Sequence, residues 1–100
     1  MDFEWDAAKA IANRRKHGVS FEEAKDAIRH PLAITVDDLA HSRSENREKT
    51  IGPSTRGRIL IVIHAKRSNA LIRIISARTA SRREVTDYEE EIRERLNRGW

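Results

Sequence analysis

The chain contains no cysteine, which excludes both a disulfide framework and a thiolate metal site. It has no long apolar run either. The longest, ILIVI at 59–63, is far too short to cross a bilayer. The opening MDFEWDAAKA is acidic and has no apolar stretch of the kind a signal peptide carries. These absences predict a soluble cytoplasmic protein. Metal and nucleotide motifs are missing too: there is no H-E-x-x-H, no carboxylate cluster at ligand spacing and no phosphate-binding glycine loop. GPSTRG at 52–57 resembles a P-loop only loosely and lacks its G-K-[ST] end. Aromatics are scarce: Phe3, Trp5, Phe21, Tyr88 and Trp100. That scarcity argues against a platform on which single-stranded bases stack. Repeats, low-complexity stretches and linkers are absent, so residues 1–100 read as a single domain with one modest core.

Positive charge is what the chain has in quantity. The net +4 hides an uneven distribution, because residues 41–83 hold eleven Lys and Arg against Glu45 and Glu48. A local +9 leaves −5 for the flanks. Such a segment repels itself unless a polyanion lies on it, and arginine suits bidentate phosphate contacts better than lysine does. A basic solvated surface is the plain reading; nucleic acid is the better one, since the charge is concentrated in one segment.

The pattern predicts an α+β fold in the order β-α-α-β-β-β-β-α, a mainly antiparallel twisted sheet with helices packed on it. Phe3-Glu4-Trp5 alternates and reads as a strand. Asp6 can N-cap a helix through AAKAIANRRK that Gly18 ends. Ala8, Ile11, Ala12 and the stem of Arg15 form its apolar face, with Lys9, Asn13 and Lys16 as a polar stripe. Ser20-Phe21-Glu22-Glu23 is a capping box, with Val19 and Ala24 as its hydrophobic staple, and that helix ends at His30 before Pro31. The period then changes to two: LAITV, REKTIGPS, RILIVIHAK and LIRIISAR read as strands. The last two, apolar on both faces, should be central and covered on each side. A two-residue turn at Ser68-Asn69 would pair Arg67 with Ala70 and set His64 opposite Arg73. A second capping box, Ser81-Arg82-Arg83-Glu84, starts a last helix with Val85, Tyr88, Ile92 and Leu96 as its stripe. Glu89–Arg93, Glu91–Arg95 and Glu94–Arg98 are its i, i+4 pairs.

DFEWD, then Asn13 and RRKHGVSFEEA to position 24, then REKTIGPSTRGR and ILIVIHAKRSNALIRIISARTASRRE with Tyr88 beyond, resemble the BrnT-type toxins. These are small ribonucleases of type II toxin–antitoxin modules with a RelE-like fold. The resemblance covers nearly the whole chain and is most specific in KHGVSFEEA and RIISARTASRRE. It implies RNA cleavage, growth arrest by the unopposed toxin, and neutralisation by a BrnA-type ribbon-helix-helix antitoxin with which the toxin represses its own operon. A heterotetramer of the two is a possible assembly. No cofactor is implied.

Metal-independent cleavage of RNA uses the 2′-hydroxyl as nucleophile and needs a base, an acid and cations for the phosphorane charge. Arg78 stands where the last strand meets the last helix and is the first candidate; its plain alternative is a salt bridge to the acidic helix. His64 and Glu84 could move the proton. A lone strand histidine is more often structural, and Glu84 is already explained by its cap. Tyr88 shares a helix face with Glu84 yet sits on the apolar stripe. Candidate RNA contacts are Arg47, Arg67, Arg73, Arg82, Arg83, Lys16 and His17. Arg73, within a strand, needs a partner, and a carboxylate from a helix serves as well as RNA. His17 and His30 end helices, where the dipole favours them, and His41 lies in the polar loop. The competing reading is a non-catalytic basic module that binds nucleic acid or forms a complex.

Overall fold

The computed structural model describes residues 1–38 and 46–99. His41, Arg43, Glu45 and Trp100 lie outside them. The elements follow the predicted order: β1 (Asp2–Glu4), α1 (Ala7–His17), α2 (Phe21–Arg29), β2 (Ile34–Asp37), β3 (Arg47–Pro53), β4 (Ile59–Ser68), β5 (Leu71–Thr79) and α3 (Arg82–Asn97). The sheet order is β1-β5-β4-β3-β2. β2 to β5 form an antiparallel meander, and β1 adds to β5 in parallel.

The helix ends are written in the sequence. Asp6 accepts the Lys9 N–H at 3.0 Å, and Gly18 closes α1 in the left-handed region at φ 69°. Ser20 accepts the Glu23 N–H to open α2. Ser81 and Glu84 make the full reciprocal box that opens α3. At α2 only half of the predicted box forms. The Glu23 side chain is buried and is instead gripped by Arg58 through two contacts of 2.7 and 2.8 Å. A buried carboxylate needs a cation more than a cap needs a second bond.

α1 turns inward on a different face from the one its apolar residues mark. Ala8, Ile11, Ala12 and Arg15 are exposed, whereas Asn13 is buried and Ala10 and His17 are half-buried. The inward position goes to Asn13 because its amide meets backbone groups of β5 that no apolar side chain could satisfy.

Val19, Phe21, Ala24 and Ala27 pack on Leu60, Val62, Ile74 and Ala77 to make the core, with Phe3, Trp5, Ala10 and Ile28 at its margin. Trp5 meets Phe21 edge to face, centroids 6.0 Å apart. α2 can approach β3 closely because position 52 is glycine: a Cβ there would stand 2.8 Å from the Ala27 carbonyl. The helices α1 and α2 cover one face of the sheet. On the other face of β4 Ile61 and Ala65 are buried as well and Ile63 is half-buried. Of the predicted stripe of α3 Tyr88 is buried, Val85 and Ile92 are half-buried and Leu96 is exposed. Glu91–Arg95 and Glu94–Arg98 pair as expected, and Arg83–Asp87 joins them.

The β4–β5 hairpin departs from the predicted register. Ser68 pairs with Leu71, and irregularities fall between Lys66 and Ser68 and between Ile63 and His64. His64 therefore stands opposite Ile74, with Ala65 opposite Arg73. The bulge at Ile75 reverses the parity of β5. Without it Arg73 would point into the core beside His64; with it Arg73 reaches the open face and meets Glu4 at 3.0 Å. The carboxylate that satisfies Arg73 is thus on a strand, not on a helix.

A candidate phosphate-binding active site on the open sheet face

The register sorts the candidate residues by face. Leu60, Val62 and His64 of β4 look toward α2, in line with Gly52, Thr50 and Glu48 of β3. Ile61, Ile63 and Ala65 look the other way, beside Ile51, Lys49 and Arg47 of β3 and Arg78, Ser76 and Arg73 of β5. The open face is consequently a short apolar floor with cations on both sides.

A cleft of about 370 Å³ occupies that face, lined by His17, Asp38, Lys49, Ile61, Ile63, Ser76, Ala77 and Arg78. Four chain segments bring its polar groups together. β5 supplies Ser76 and Arg78, β3 supplies Lys49 from across β4, and the last residue of α1 supplies His17. Asp38 follows β2, its N–H bonded to the Arg47 carbonyl. Among the described residues the Lys49 amine makes no ion pair or side-chain hydrogen bond.

Arg78 is held in one orientation. Its Nη1 donates to Glu84 Oε1 at 2.7 Å and its Nη2 to Glu84 Oε2 at 2.9 Å, and Nη1 is also 3.4 Å from the Thr79 carbonyl. The end-on pair and the Thr79 contact together occupy three of the five guanidinium hydrogens and leave Nε–H with the second Nη2 hydrogen as a parallel fork. The hydrogen bonds from Arg78 hold Glu84 at about 2, well below the usual carboxylate range, and Glu84 in turn raises Arg78. Arg78 makes the salt bridge to the last helix and also lines the cleft. Glu84, locked as a carboxylate, is a weak base and acts here as a clamp.

His64 lies on the other face. It is 2% exposed, its Nε2 is 2.7 Å from Thr50 Oγ1, and Thr50 meets Thr35 at 2.6 Å. Its Nδ1 is buried without a hydrogen bond among the described residues, with Glu48 3.8 Å away. Thr50 is therefore the hydrogen-bond partner that the ring keeps on this side of the sheet. Burial pushes the imidazole down to about 4. Tyr88 is buried and donates to the Leu32 carbonyl at 2.7 Å, anchoring α3. Burial raises its phenol.

The other candidates surround the cleft or lie away from it. Arg47 and Arg73 flank Ala65 on the same face, one row further along the strands. Arg67 stands at the hairpin bulge, 3.8 Å from Glu4. Lys16, Arg82 and Arg83 are exposed and do not line the cleft. Lys49 and Asp38 were not singled out from sequence as site residues. Lys49 could have been found from strand parity, two positions from Arg47 and alternating with the inward Thr50. Asp38 had no such signal.

A fold and a basic cleft of this kind can be compared with known proteins. The model of the family described as "Ribonuclease toxin, BrnT, of type II toxin-antitoxin system" matches residues 5–84. The chain belongs to the BrnT family of ribonuclease toxins. The crystal structure of the Brucella abortus ribonuclease toxin BrnT is similar, with a TM-score of 0.64 and 25% identity. That match covers 82% of this chain and 99% of the Brucella chain. Nothing matches among curated proteins. BrnT membership identifies the chain as a toxin of a type II toxin–antitoxin system, whose partner is an antitoxin. Among the described residues no helix is long and apolar enough to cross a membrane. The BrnT match ends at Glu84, the residue that clamps Arg78, so most of α3 lies beyond it.

Proposed function

We propose that the cleft on the open sheet face cleaves RNA without a metal ion, Arg78 and Lys49 holding the scissile phosphate and His17 moving the proton. The observation that carries this reading is the meeting of His17, from the end of α1, with Arg78 and Lys49 around one cleft. In the reaction the 2′-oxygen bonds to phosphorus as its proton leaves to a base. The bond from phosphorus to the 5′-oxygen breaks, and that oxygen takes up a proton. Negative charge grows on the non-bridging oxygens, where the guanidinium fork and the lysine amine would meet it. An imidazole can accept the first proton and return one to the leaving oxygen.

His17 takes this role in place of His64, whose ring faces the core, and Glu84 and Tyr88 act by holding Arg78 and α3. Arg47 and Arg73 continue the positive face and would carry the strand on either side of the scissile phosphate. We further infer that a BrnA-type ribbon-helix-helix antitoxin neutralises the toxin, and that the complex represses its own operon. The basic face is suited to an acidic antitoxin segment.

The test is incubation of the purified toxin with single-stranded RNA in EDTA. Cleavage is expected, with a loss of about 100-fold or more for Arg78→Ala and for His17→Ala. Intact RNA with the parent protein, or undiminished cleavage by both variants, would overturn the reading.

A further inference from the structure

β1 is short. It pairs with Leu71 to Arg73 of β5, and among the described residues no strand lies beside that edge of β5 from Ile75 onward. The side chain of Asn13 fills part of that gap. Its Oδ1 accepts the Ala77 N–H at 3.0 Å and its Nδ2 donates to the Ala77 carbonyl at 2.9 Å. One side-chain amide thus does for Ala77 what the peptide groups of a neighbouring strand would do. The same Nδ2 donates at 3.0 Å to the Val19 carbonyl, just beyond the glycine that ends α1. Both amide hydrogens and the amide oxygen are engaged, in a residue only 7% exposed.

The position of this joint matters for the cleft. Ala77 is flanked by Ser76 and Arg78, both of which line it. His17 is one helical turn after Asn13, on the same side of α1. We propose that Asn13 is a positioning residue of the active site: its amide fixes the last turn of α1 against β5 and so sets the His17 imidazole relative to Arg78. Arg58 supports the same joint from the other side, donating to the Gly18 carbonyl at 2.8 Å while gripping Glu23. The inference rests on the cleft being the site of RNA cleavage. It adds that the distance between proton carrier and phosphate clamp is set by a side chain that touches neither.

The experiment is a double-mutant cycle in the full chain. Asn13→Ala removes all three bonds and can unfold the protein. Asn13→Asp, which keeps the acceptor for the Ala77 N–H, is therefore the second variant. Cleavage of a short RNA gives kcat, and the all-2′-deoxy oligonucleotide, which cannot react, gives affinity. A folded Asn13 variant is expected to lose at least about 10-fold in kcat, since small misplacements of reacting groups are costly. Its affinity for the deoxy oligonucleotide should change by less than about threefold, because the phosphate clamp is untouched. Combined with His17→Ala, the substitution should cost little beyond His17→Ala alone. A purely structural role would give independent, multiplying losses or a matched loss of affinity, and either result overturns the proposal. Full activity in the Asn13 variants with loss in Arg78→Ala and His17→Ala overturns the positioning role and leaves the cleft in place. Full activity in all of these variants overturns both.

Discussion

Arg78 and Glu84 form an end-on bidentate pair, with contacts of 2.7 and 2.9 Å, across the junction between β5 and α3. Glu84 also accepts the Ser81 N–H at 2.8 Å, so one carboxylate closes the helix cap and aims the guanidinium. The clamp therefore joins a folding device to the proposed chemistry.

Glu84→Gln tests that joint role. An amide presents one acceptor where the carboxylate presents two, so Arg78 loses its fixed orientation. Cleavage should fall by about 10-fold or more, chiefly in kcat, in the assay that reports Arg78→Ala. Stability should fall by on the order of 1–2 kcal/mol at neutral pH, a figure held down by the partial exposure of both side chains. The carboxyl is depressed to about 2 in the folded state. Its stabilisation is therefore present above the ordinary carboxylate value and is lost as pH falls toward 2. Urea melts of parent and variant should converge across that window; a constant gap would show that the charge is not the source.

His64→Gln addresses the buried histidine. The ring is depressed to about 4 by burial, so the unfolded chain binds its proton more readily. Stability is complete above the ordinary imidazole value of 6.5 and falls as pH drops through about 4. The full penalty is on the order of 2–4 kcal/mol. Glutamine can still bond Thr50 but does not titrate. The variant should be somewhat less stable at pH 7.5 (about 1 kcal/mol) yet lose less than the parent between pH 6.5 and pH 4. Cleavage per folded molecule should stay within about threefold of the parent. A collapse of kcat in a folded variant would return His64 to the catalytic set.

Much of this architecture can be read from sequence, because capping residues, glycine at a helix end and alternating strands are local signals. Asp6, Gly18, Ser20 and Ser81 each place a helix end correctly. The site is legible only in part. Arg78 stands out from its junction, and His17 enters the candidates beside a bland capping role. Their relation depends on two non-local facts. One is the inward turn of α1 on Asn13, where a polar side chain takes the buried position that Ile11 would claim by hydrophobicity. The other is the bulge at Ile75, a change of one residue that decides whether Arg73 or Ile74 faces the core. Neither is encoded by composition over a short window, since one depends on the edge groups of Ala77 that Asn13 meets and the other on the register between β4 and β5.

Lys49→Ala asks whether the cleft holds RNA by its backbone. The amine faces the cleft from β3, opposite Ile63, and is exposed without an ion-pair partner among the described residues. Removing it should leave stability within about 0.5 kcal/mol, as for other surface positions with no buried contact to lose. If the amine neutralises one phosphate, the dependence of log K on log salt for the deoxy oligonucleotide should become shallower by about 0.7. Affinity at low salt should weaken several-fold, alike for oligonucleotides of different base composition, because a phosphate contact carries no sequence information. Lys49→Arg should restore most of the slope, and Lys49→Glu should weaken binding further through repulsion. Fluorescence anisotropy across a salt series measures all of these. An unchanged slope in Lys49→Ala would place the backbone elsewhere on the sheet, and the row of Arg47 and Arg73 would be the next surface to alter.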